Sequence, residues 1–355
     1  MSFVDTDFPA DPYPGARPDC SYAHVHEIGF PLLADRSSIS GLRLADSGED
    51  VDEWLASHGA APLAERVPVL AYGSNACPAK ITWLREKLGL PGPVIALRAR
   101  CVDLSAVWSA GYRTHDDQRP ATLAAATGVH ESHFVWFVAA DQLPALDACE
   151  GRGERYALAW LRSGSVWLDG DVLLDEVLGY VAASDMRQPL LVDGAMVRCS
   201  QRGQLEARAL RGVPAGSHGL DVSVQDGQPD PLRWPARVFV YGTLQPGSEA
   251  WPLIEPYLAG RPRRATMTGT LFDTGLGYPA LRPAAEAGHT VPGWVLPLAD
   301  PPAALAVLDD YEGPEYRRLR LPTTGGELCW TYLFCETVDG MPALPEGWPS
   351  PHLLG

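Results

Sequence analysis

Two glutamates, Glu150 and Glu312, stand where short stretches of helical pattern end. Before Glu312, Leu305 and Leu308 fall at positions i and i+3, so the glutamate at i+7 shares their apolar face. Two leucines precede Glu150 in the same way. A carboxylate on a buried face, beside the carbonyl end of a helix, has a raised pKa. Such a group accepts a proton in one step and donates it in the next, so both glutamates are candidate general acid/base catalysts.

Two other interpretations compete for these positions. Each glutamate could be a structural carboxylate paired with an arginine that follows it, such as Arg155 or Arg318. The repetition of the pattern favours a site over such a pair. Cys149 next to Glu150 could be a nucleophile, but neighbouring residues of a helix point in different directions, so packing is the preferred interpretation of that thiol.

A tyrosine-glycine turn follows a short apolar strand upstream of each glutamate. Backbone N–H groups in such a turn are free of sheet pairing, and glycine lets a ligand approach closely. These donors could hold a carboxylate or stabilise an oxyanion. The candidate binding residues are Tyr72, Gly73, Ser74 and Asn75 in the first turn, and Tyr241, Gly242, Thr243 and Leu244 in the second.

The elements that must position these residues recur in the same order along the chain. A strand ends in the glycine turn, a later strand leads into the helix with the glutamate, and a tyrosine follows, Tyr156 or Tyr316. We expect Asp141 and Asp300 to cap the two helices, with a glycine ending each one. The 35 glycines and 33 prolines indicate many turns and few long helices, so the predicted fold class is mixed α+β.

The repeat predicts two tandem units within the 355 residues. Residues 1–64 form an N-terminal extension with a possible helix around residues 51–58, and residues 65–200 form the first unit. Residues 201–235 are rich in Gly, Pro, Gln and Ser and are interpreted as a linker. The second unit is expected over residues 236–340, followed by a C-terminal tail at 341–355.

Composition excludes several classes of partner. The formal net charge of -16 argues against nucleic-acid binding and against binding to an anionic membrane surface. The sequence has no long apolar run, and its 7 cysteines include no Cys-x-x-Cys pair, so we expect a cytoplasmic protein with free thiols and no zinc site. The oligomeric state is not predicted.

Four motifs together resemble the γ-glutamylcyclotransferase-like superfamily. Over 236–340 the resemblance is to the γ-glutamylamine cyclotransferase and AIG2-like branch, and over about 66–183 it is to the γ-glutamylcyclotransferase branch. The second unit carries it on residues 241–247 (YGTLQPG), 269–272 (GTLF), 278–281 (YPAL) and 308–316 (LDDYEGPEY), and the first on 72–75 (YGSN) and 146–151 (LDACEG).

This resemblance implies two tandem domains, each a small β-barrel with a few flanking helices. It also implies a reaction in which the α-amine of a γ-glutamyl group attacks its own γ-carbonyl, giving 5-oxoproline and a free amine. Glu150 and Glu312 would move the protons, the turn backbones and Tyr316 would hold the small-molecule γ-glutamyl substrate, and no metal or cofactor would be needed.

The first unit departs from the family pattern in two ways. It lacks the arginine that follows Tyr316 two positions later as Arg318, and it has a longer interval between its glutamate and tyrosine. We therefore expect the second unit to carry most of the activity. Two alternatives stay open: a non-catalytic module that binds a γ-glutamyl compound or amino acid, and an enzyme that removes a γ-glutamyl protecting group from a biosynthetic intermediate.

Overall fold

The computed structural model describes residues 1–114, 116–284 and 289–349 and has a mixed α+β fold, as the sequence predicts. The described residues form six short α-helices, which lie between strands. They are α1 (Val51–Ser57), α2 (Pro78–Leu88), α3 (Leu143–Glu150), α4 (Gln204–Ala209), α5 (Trp251–Ile254) and α6 (Pro301–Glu312).

Most of the chain is β-structure. The strands are β1 (Phe3–Val4), β2 (Tyr22–Val25), β3 (Ile28–Ala34), β4 (Leu42–Leu44), β5 (Val67–Ala71), β6 (Val94–Trp108), β7 (Ala121–Val138), β8 (Tyr156–Leu161), β9 (Ser165–Leu168), β10 (Val172–Leu174), β11 (Val177–Ala182), β12 (Leu190–Val192), β13 (Ala195–Met196), β14 (Val213–Pro214), β15 (Val222–Val224), β16 (Arg237–Val240), β17 (Arg263–Thr268), β18 (Thr270–Asp273), β19 (Pro279–Arg282), β20 (Thr290–Pro297), β21 (Tyr316–Pro322) and β22 (Leu328–Phe334).

Two sheets dominate, and the candidate turns leave the middle of each. In the 12-stranded sheet, β5 pairs antiparallel with β7 and parallel with β11. In the 5-stranded sheet, β16 pairs antiparallel with β20 and parallel with β22. A strand that is paired on both edges and covered on both faces has no side chain in water, so its sequence is a continuous run of apolar residues. Strand β5 and residues 238–240 of β16 are of this kind, which explains the apolar run before each turn.

Apolar residues pack on both faces of each central strand. Along β16, Val238 and Val240 join a cluster with the leucines of α6, whereas Phe239 joins a second cluster on the opposite face. Along β5, Val69 packs with α2 and α3 while Leu70 belongs to the other core. Since side chains alternate along a strand, each central strand is clamped between two cores.

Neither sheet closes on itself, which corrects the predicted barrels. Within the described residues, the pairing path of the larger sheet runs from β1 to β15, and that of the smaller sheet from β17 to β21. The end strands of the larger path contain only two and three residues. Such short strands offer too few backbone groups to join the two edges of the larger sheet. In the smaller sheet, the edges approach each other at a single bridge between Met267 and Thr323.

The N-terminal region and the segment interpreted as a linker contribute to this framework. Strands β1 to β4 lie in the larger sheet, where β2 pairs with β6, and the expected helix near residue 51 is α1. In residues 201–235, α4 and β14 form, and β15 pairs with β8. The proposed unit boundaries stay predictions. Residues 350–355 of the predicted tail lie outside the described part of the chain.

Of the two predicted aspartate caps, one is wrong and the other is right in position only. Helix α3 begins after Gln142 rather than Asp141. Asp300 is the N-cap residue of α6, but its side chain accepts no hydrogen bond from the helix. Both helices end as expected at a glycine with positive φ, Gly151 or Gly313, directly after the glutamate. No helix in the described ranges is long and apolar enough to span a membrane.

Candidate active sites

The first candidate site is a cavity of about 630 Å³ at the end of β5. Its wall contains the whole predicted turn, from Tyr72 to Asn75, together with Glu150 at the end of α3. The side chain of Asn75 reaches across the cavity and donates a hydrogen bond of 2.9 Å to the Glu150 carboxylate. The turn and the glutamate therefore face each other.

The second candidate site is a smaller cavity of about 260 Å³ at the end of β16. Glu312 lies in its wall, and the wall also holds Tyr241, Gly242, Thr243, Leu244 and Tyr316. Thr243 forms a hydrogen bond of 2.8 Å with the hydroxyl of Tyr311, one residue before the glutamate. All predicted site residues of this unit thus lie around one cavity.

A matching set of tyrosine hydrogen bonds holds each turn relative to its helix. Tyr72 donates to the carbonyl of Tyr180 at 2.5 Å, and the Tyr180 hydroxyl donates to Asp147 in α3 at 2.7 Å. In the second site, Tyr241 donates to the carbonyl of Tyr332 at 2.7 Å, and Tyr332 donates to Asp309 in α6 at 2.7 Å. Buried hydroxyls need partners, so these links fix the geometry.

The tyrosine after each glutamate makes an equivalent bond. Tyr156 donates to the carbonyl of Ala121 at 2.8 Å, and Tyr316 donates to the carbonyl of Pro279 at 2.8 Å. We call the turn, the glutamate and the linked tyrosines of each site its shared framework. It is built mostly from side-chain hydroxyls that bond to main-chain oxygens.

Glycine is required at the second position of each turn because the opposite wall is close. A Cβ on Gly242 would lie 2.9 Å from Pro279, and a Cβ on Gly73 would lie 2.9 Å from the hydroxyl of Tyr13. Both distances are shorter than van der Waals contact. The absence of a side chain lets the turn backbone itself form the cavity wall.

Burial raises the pKa of both glutamates. The pKa of Glu312 rises to about 8, because its half-buried carboxyl group has lost much of its water. The pKa of Glu150 is also raised by burial, against the opposing effects of the Asn75 hydrogen bond and the positive charges of Lys80, Arg155 and Arg187. Burial raises the pKa of the neighbouring Cys149 thiol to about 11, so it is not a thiolate at neutral pH.

The alternative of structural pairs with Arg155 or Arg318 is wrong for both glutamates. Arg155 donates to the main-chain oxygens of Cys149 and Glu150, which end helix α3. Arg318 pairs with Asp309 instead. Within the described residues, neither glutamate has a salt-bridge partner.

The arginine missing from the first unit has a substitute. Arg152 pairs with Asp147 at 3.0 Å, in the way that Arg318 pairs with Asp309. Each of these aspartates also accepts the tyrosine bond described above. The ion pair is therefore present at both sites. The missing arginine gives no reason to expect lower activity at the first site.

Several residues of the first site have no signal in the sequence. Arg17 donates to the carbonyls of Tyr72 and Gly73 at 3.0 and 2.8 Å, and Tyr13 accepts a hydrogen bond from the N–H of Ala121 at 3.0 Å. Both come from the N-terminal region, which has no counterpart in the repeat. At the second site, Gln245 donates to the carbonyl of Tyr241, which corresponds to the Tyr72 carbonyl that Arg17 binds at the first site.

The donor sets of the two sites do not favour a metal. In the described part of the chain, no group of three or more His, Cys, Asp or Glu side chains is arranged to hold a metal ion. The cavity walls offer instead amide and hydroxyl groups, and carboxylates that are not grouped as metal ligands within the described residues. This chemistry suits a small polar organic ligand.

The raised pKa of Glu312 predicts a pH dependence of stability. A glutamate of the unfolded chain titrates near 4.5, so between that pH and about 8 the folded state holds a proton that the unfolded state has lost. Stability from this group is present below pH 4.5 and declines as pH rises to 8. We expect Glu312→Gln to reduce the loss of unfolding free energy between pH 5 and pH 8.5 by on the order of 2 kcal/mol, which appears as a smaller fall in melting temperature.

Thermal unfolding across this pH range, monitored by circular dichroism, measures the effect. Glu336→Gln, at an exposed position outside the cavity, is the control and should leave the profile unchanged. Equal profiles for Glu312→Gln and the parent would contradict a protonated Glu312 at neutral pH.

Comparison with known proteins gives one family match. Residues 238–350 match the family described as gamma-glutamyl cyclotransferase, AIG2-like, which includes the second cavity and its framework. A search of curated proteins gives no match to this chain.

Solved structures with detectable similarity include an AIG2-like protein from Mus musculus, with 23% identity over 33% of this chain and 91% of that one, at a TM-score of 0.27. A structure titled gamma-glutamyl cyclotransferase has 20% identity over 34% of this chain and 68% of its own, at a TM-score of 0.28. YkqA from Bacillus subtilis has 15% identity over 77% of this chain and 85% of its own, at a TM-score of 0.24. At these values the structural similarities alone establish no activity, and the family match belongs to residues 238–350.

Proposed function

We propose that this chain is a γ-glutamyl cyclotransferase with two sites, in which Glu150 and Glu312 act as general acid/base catalysts. The substrate is a γ-glutamyl amine or peptide, and the products are 5-oxoproline and a free amine or amino acid. The match of residues 238–350 to the gamma-glutamyl cyclotransferase, AIG2-like family supports the reaction type.

One observation carries the proposal: Glu312 lines the same cavity as a glycine turn and has a pKa raised to about 8 by burial. A carboxyl group that titrates close to the working pH is present in both protonation states during turnover. A structural carboxylate would instead pair with a cation, and Glu312 has no such partner within the described residues.

The reaction needs two proton movements and no water. The glutamate takes one proton from the substrate's α-ammonium group, and the freed nitrogen attacks the γ-carbonyl carbon, forming the lactam C–N bond. As the original amide C–N bond breaks, a second proton passes from the attacking nitrogen, through the glutamate, to the leaving nitrogen. The lactam keeps one N–H, and the remaining proton leaves with the amine. The lactam C–N bond thus replaces the original amide C–N bond, so the reaction is an acyl transfer within one molecule.

The turns provide the second requirement, a place for developing negative charge. In the first site, Ser74 and Asn75 begin a short 3-10 helix, whose first N–H groups have no partner inside the helix. The second turn, at Gly242 to Leu244, occupies the same place in the wall of its cavity. We assign to both turns the binding of the substrate carboxylate and of the oxyanion.

Release of 5-oxoproline from a panel of γ-glutamyl amines and dipeptides tests this proposal. We expect the purified chain to form 5-oxoproline in amounts equal to the amine released, with at least one member of the panel. The N-acetyl derivative of the same substrate should not react, because its nitrogen has no free lone pair for ring closure. Product would be measured by chromatography with mass detection.

The outcomes separate the competing functions. Glutamate in place of 5-oxoproline, or turnover of the acetylated substrate, would identify a hydrolase. Binding of γ-glutamyl compounds without any product would identify a binding module. A biosynthetic intermediate as the preferred substrate would select removal of a γ-glutamyl protecting group.

A further inference from the structure

The walls of the two cavities carry opposite charge around the same framework. Four cationic side chains line the first cavity, together with Glu150 and two aspartates. The charged residues in the wall of the second cavity are Glu312 and Glu315, and no lysine or arginine contributes to it within the described residues. The cations of the first cavity are Lys80, Arg113, Arg155 and Arg187.

Two of these four cations already have partners. Arg113 pairs with Asp116, and Arg155 donates to the main-chain oxygens at the end of α3. Their charges are therefore used by the protein itself. Arg187 and Lys80 differ from them.

Arg187 is a buried arginine without a carboxylate partner. Its side chain is 8% exposed, and its guanidinium lies 5.9 Å from the centre of the Tyr156 ring. Nη1 makes two long contacts, to main-chain oxygens of Tyr112 at 3.5 Å and Met186 at 3.4 Å, and Nε is buried without a hydrogen-bond partner. Among the described residues, no acidic side chain forms a salt bridge with it. A buried cation in this state is costly unless a ligand supplies the missing anion.

Lys80 is the second cation without a salt-bridge partner in the described part of the chain. It extends from α2 into the first cavity, where its ammonium group lies 3.4 Å from the centre of the Trp83 ring. Burial lowers its pKa, while the nearby Glu150 acts in the opposite direction. Both positive groups therefore lie in the wall of the first cavity.

We propose that Arg187, with Lys80, binds a carboxylate on the leaving part of the substrate at the first site. This inference depends on the proposed function. Both sites have the turn, the glutamate and the linked tyrosines, so this framework serves what all substrates share, the γ-glutamyl group. The two cations belong to one site only. They must therefore serve the part of the substrate that differs between the sites, which is the leaving amine.

The cavity volumes agree with this division. The first cavity, about 630 Å³, has room for a larger leaving part than the second, about 260 Å³. In the second cavity, Glu315 accepts a hydrogen bond from Tyr278 at 2.7 Å and places a negative charge in the wall. The second site consequently disfavours the anionic leaving part that the first site selects.

A matched pair of substrates tests the inference. γ-Glutamylalanine and γ-glutamylalaninamide differ only in the charge of the leaving part. In a Glu312→Gln background, which leaves the first site to act, we expect kcat/KM to favour the carboxylate by about tenfold to a hundredfold, the range of a charge-assisted hydrogen bond. In a Glu150→Gln background, which reports the second site, no such preference is expected.

Replacement of Arg187 then identifies the residue responsible. Arg187→Met in the Glu312→Gln background should raise KM for the carboxylate by about tenfold or more, change its kcat little, and leave the amide substrate almost unaffected. Arg187→Lys should restore part of the preference. Arg162→Met, at an exposed position outside the cavity, is the control for loss of an arginine.

The results that overturn the inference are distinct from a failure of the proposed function. Equal turnover of the two substrates with Arg187 intact, or an equal loss for both in Arg187→Met, would refute the assignment of Arg187. If neither substrate reacts, the cyclotransferase proposal fails at this site. Calorimetric binding of the two compounds to the Glu150→Gln, Glu312→Gln double variant then decides: tighter binding of the carboxylate keeps the inference, and equal or absent binding refutes it.

Discussion

Replacing Glu312 with glutamine is expected to lower kcat at the second site by about a hundredfold or more, with little change in substrate affinity. Glutamine keeps the size and much of the hydrogen-bonding capacity of the side chain, but it cannot carry the proton from the α-ammonium group to the leaving nitrogen. The measurement is 5-oxoproline formation under saturating substrate, with Glu336→Gln as the matched control on the surface of the same unit.

The two single variants and the double variant together assign activity to the sites. From the sequence we expect Glu312→Gln to remove most of the activity and Glu150→Gln to remove less. The Arg152 pair with Asp147 takes away one argument for this ranking, because both helices keep their ion pair. Full activity in the double variant would refute the mechanism at both sites, whereas loss only through Glu150→Gln would reverse the ranking.

The acid limb of the pH profile gives an independent check. A base with a pKa of about 8 is mostly protonated at pH 6.5, so kcat/KM in the Glu150→Gln background should rise with pH until about 8. A profile that is flat from pH 6 to 8 would exclude Glu312 as the base.

Replacing Arg320 with methionine is expected to destabilise the fold by about 3 kcal/mol, the largest effect on stability that we predict. This buried arginine of β21 donates to the carbonyls of Arg66 and Ala64 at 2.6 Å each, and to the carbonyl of Pro231 at 2.7 Å. It thereby joins the smaller sheet to the segment that leads into β5. Methionine would fill much of the volume and leave those buried oxygens without a donor.

Denaturation by urea, followed by tryptophan fluorescence, measures this loss. Arg320 lies between the rings of Trp234 and Trp330, at 5.0 and 4.5 Å, so the signal reports on the same region. Arg264→Met is the matched control. Arg264 is an exposed arginine on strand β17, and its guanidinium also lies beside a tryptophan ring, that of Trp294. An unchanged midpoint for Arg320→Met would show that the carbonyl contacts contribute no net stability.

The local parts of the sites could be predicted because their signals are short in sequence. Apolar runs gave β5 and β16, leucine spacing gave the buried face of α6, and the glycine after each glutamate gave the helix end. Each of these features depends on a few neighbouring residues, as strand and helix periodicity do. Glu312 and Gly242 then line the same cavity because the leucines of α6 pack against the valines of β16.

The other parts depend on contacts between distant segments, which leave no local pattern. Arg17 reaches the first turn from a region without periodicity, and Arg187 follows β11 in a short 3-10 helix. Residues 201–235 have the composition of a linker, yet β15 gains sheet pairing from β8. The open edges of the sheets depend on strand length and register, which composition does not determine.

Four of the six tyrosine bonds of the shared framework end on main-chain oxygens, at Tyr180, Ala121, Tyr332 and Pro279. The other two end on the carboxylates of Asp147 and Asp309. A main-chain acceptor is present whatever side chain the residue carries. Residues of the cavity wall outside the framework can therefore be exchanged without loss of the bonds that position the turn and the glutamate. For protein engineering, this separates two tasks that are usually coupled: the leaving-group preference of such a site can be redesigned through positions like 187 and 315 while the catalytic geometry is left in place.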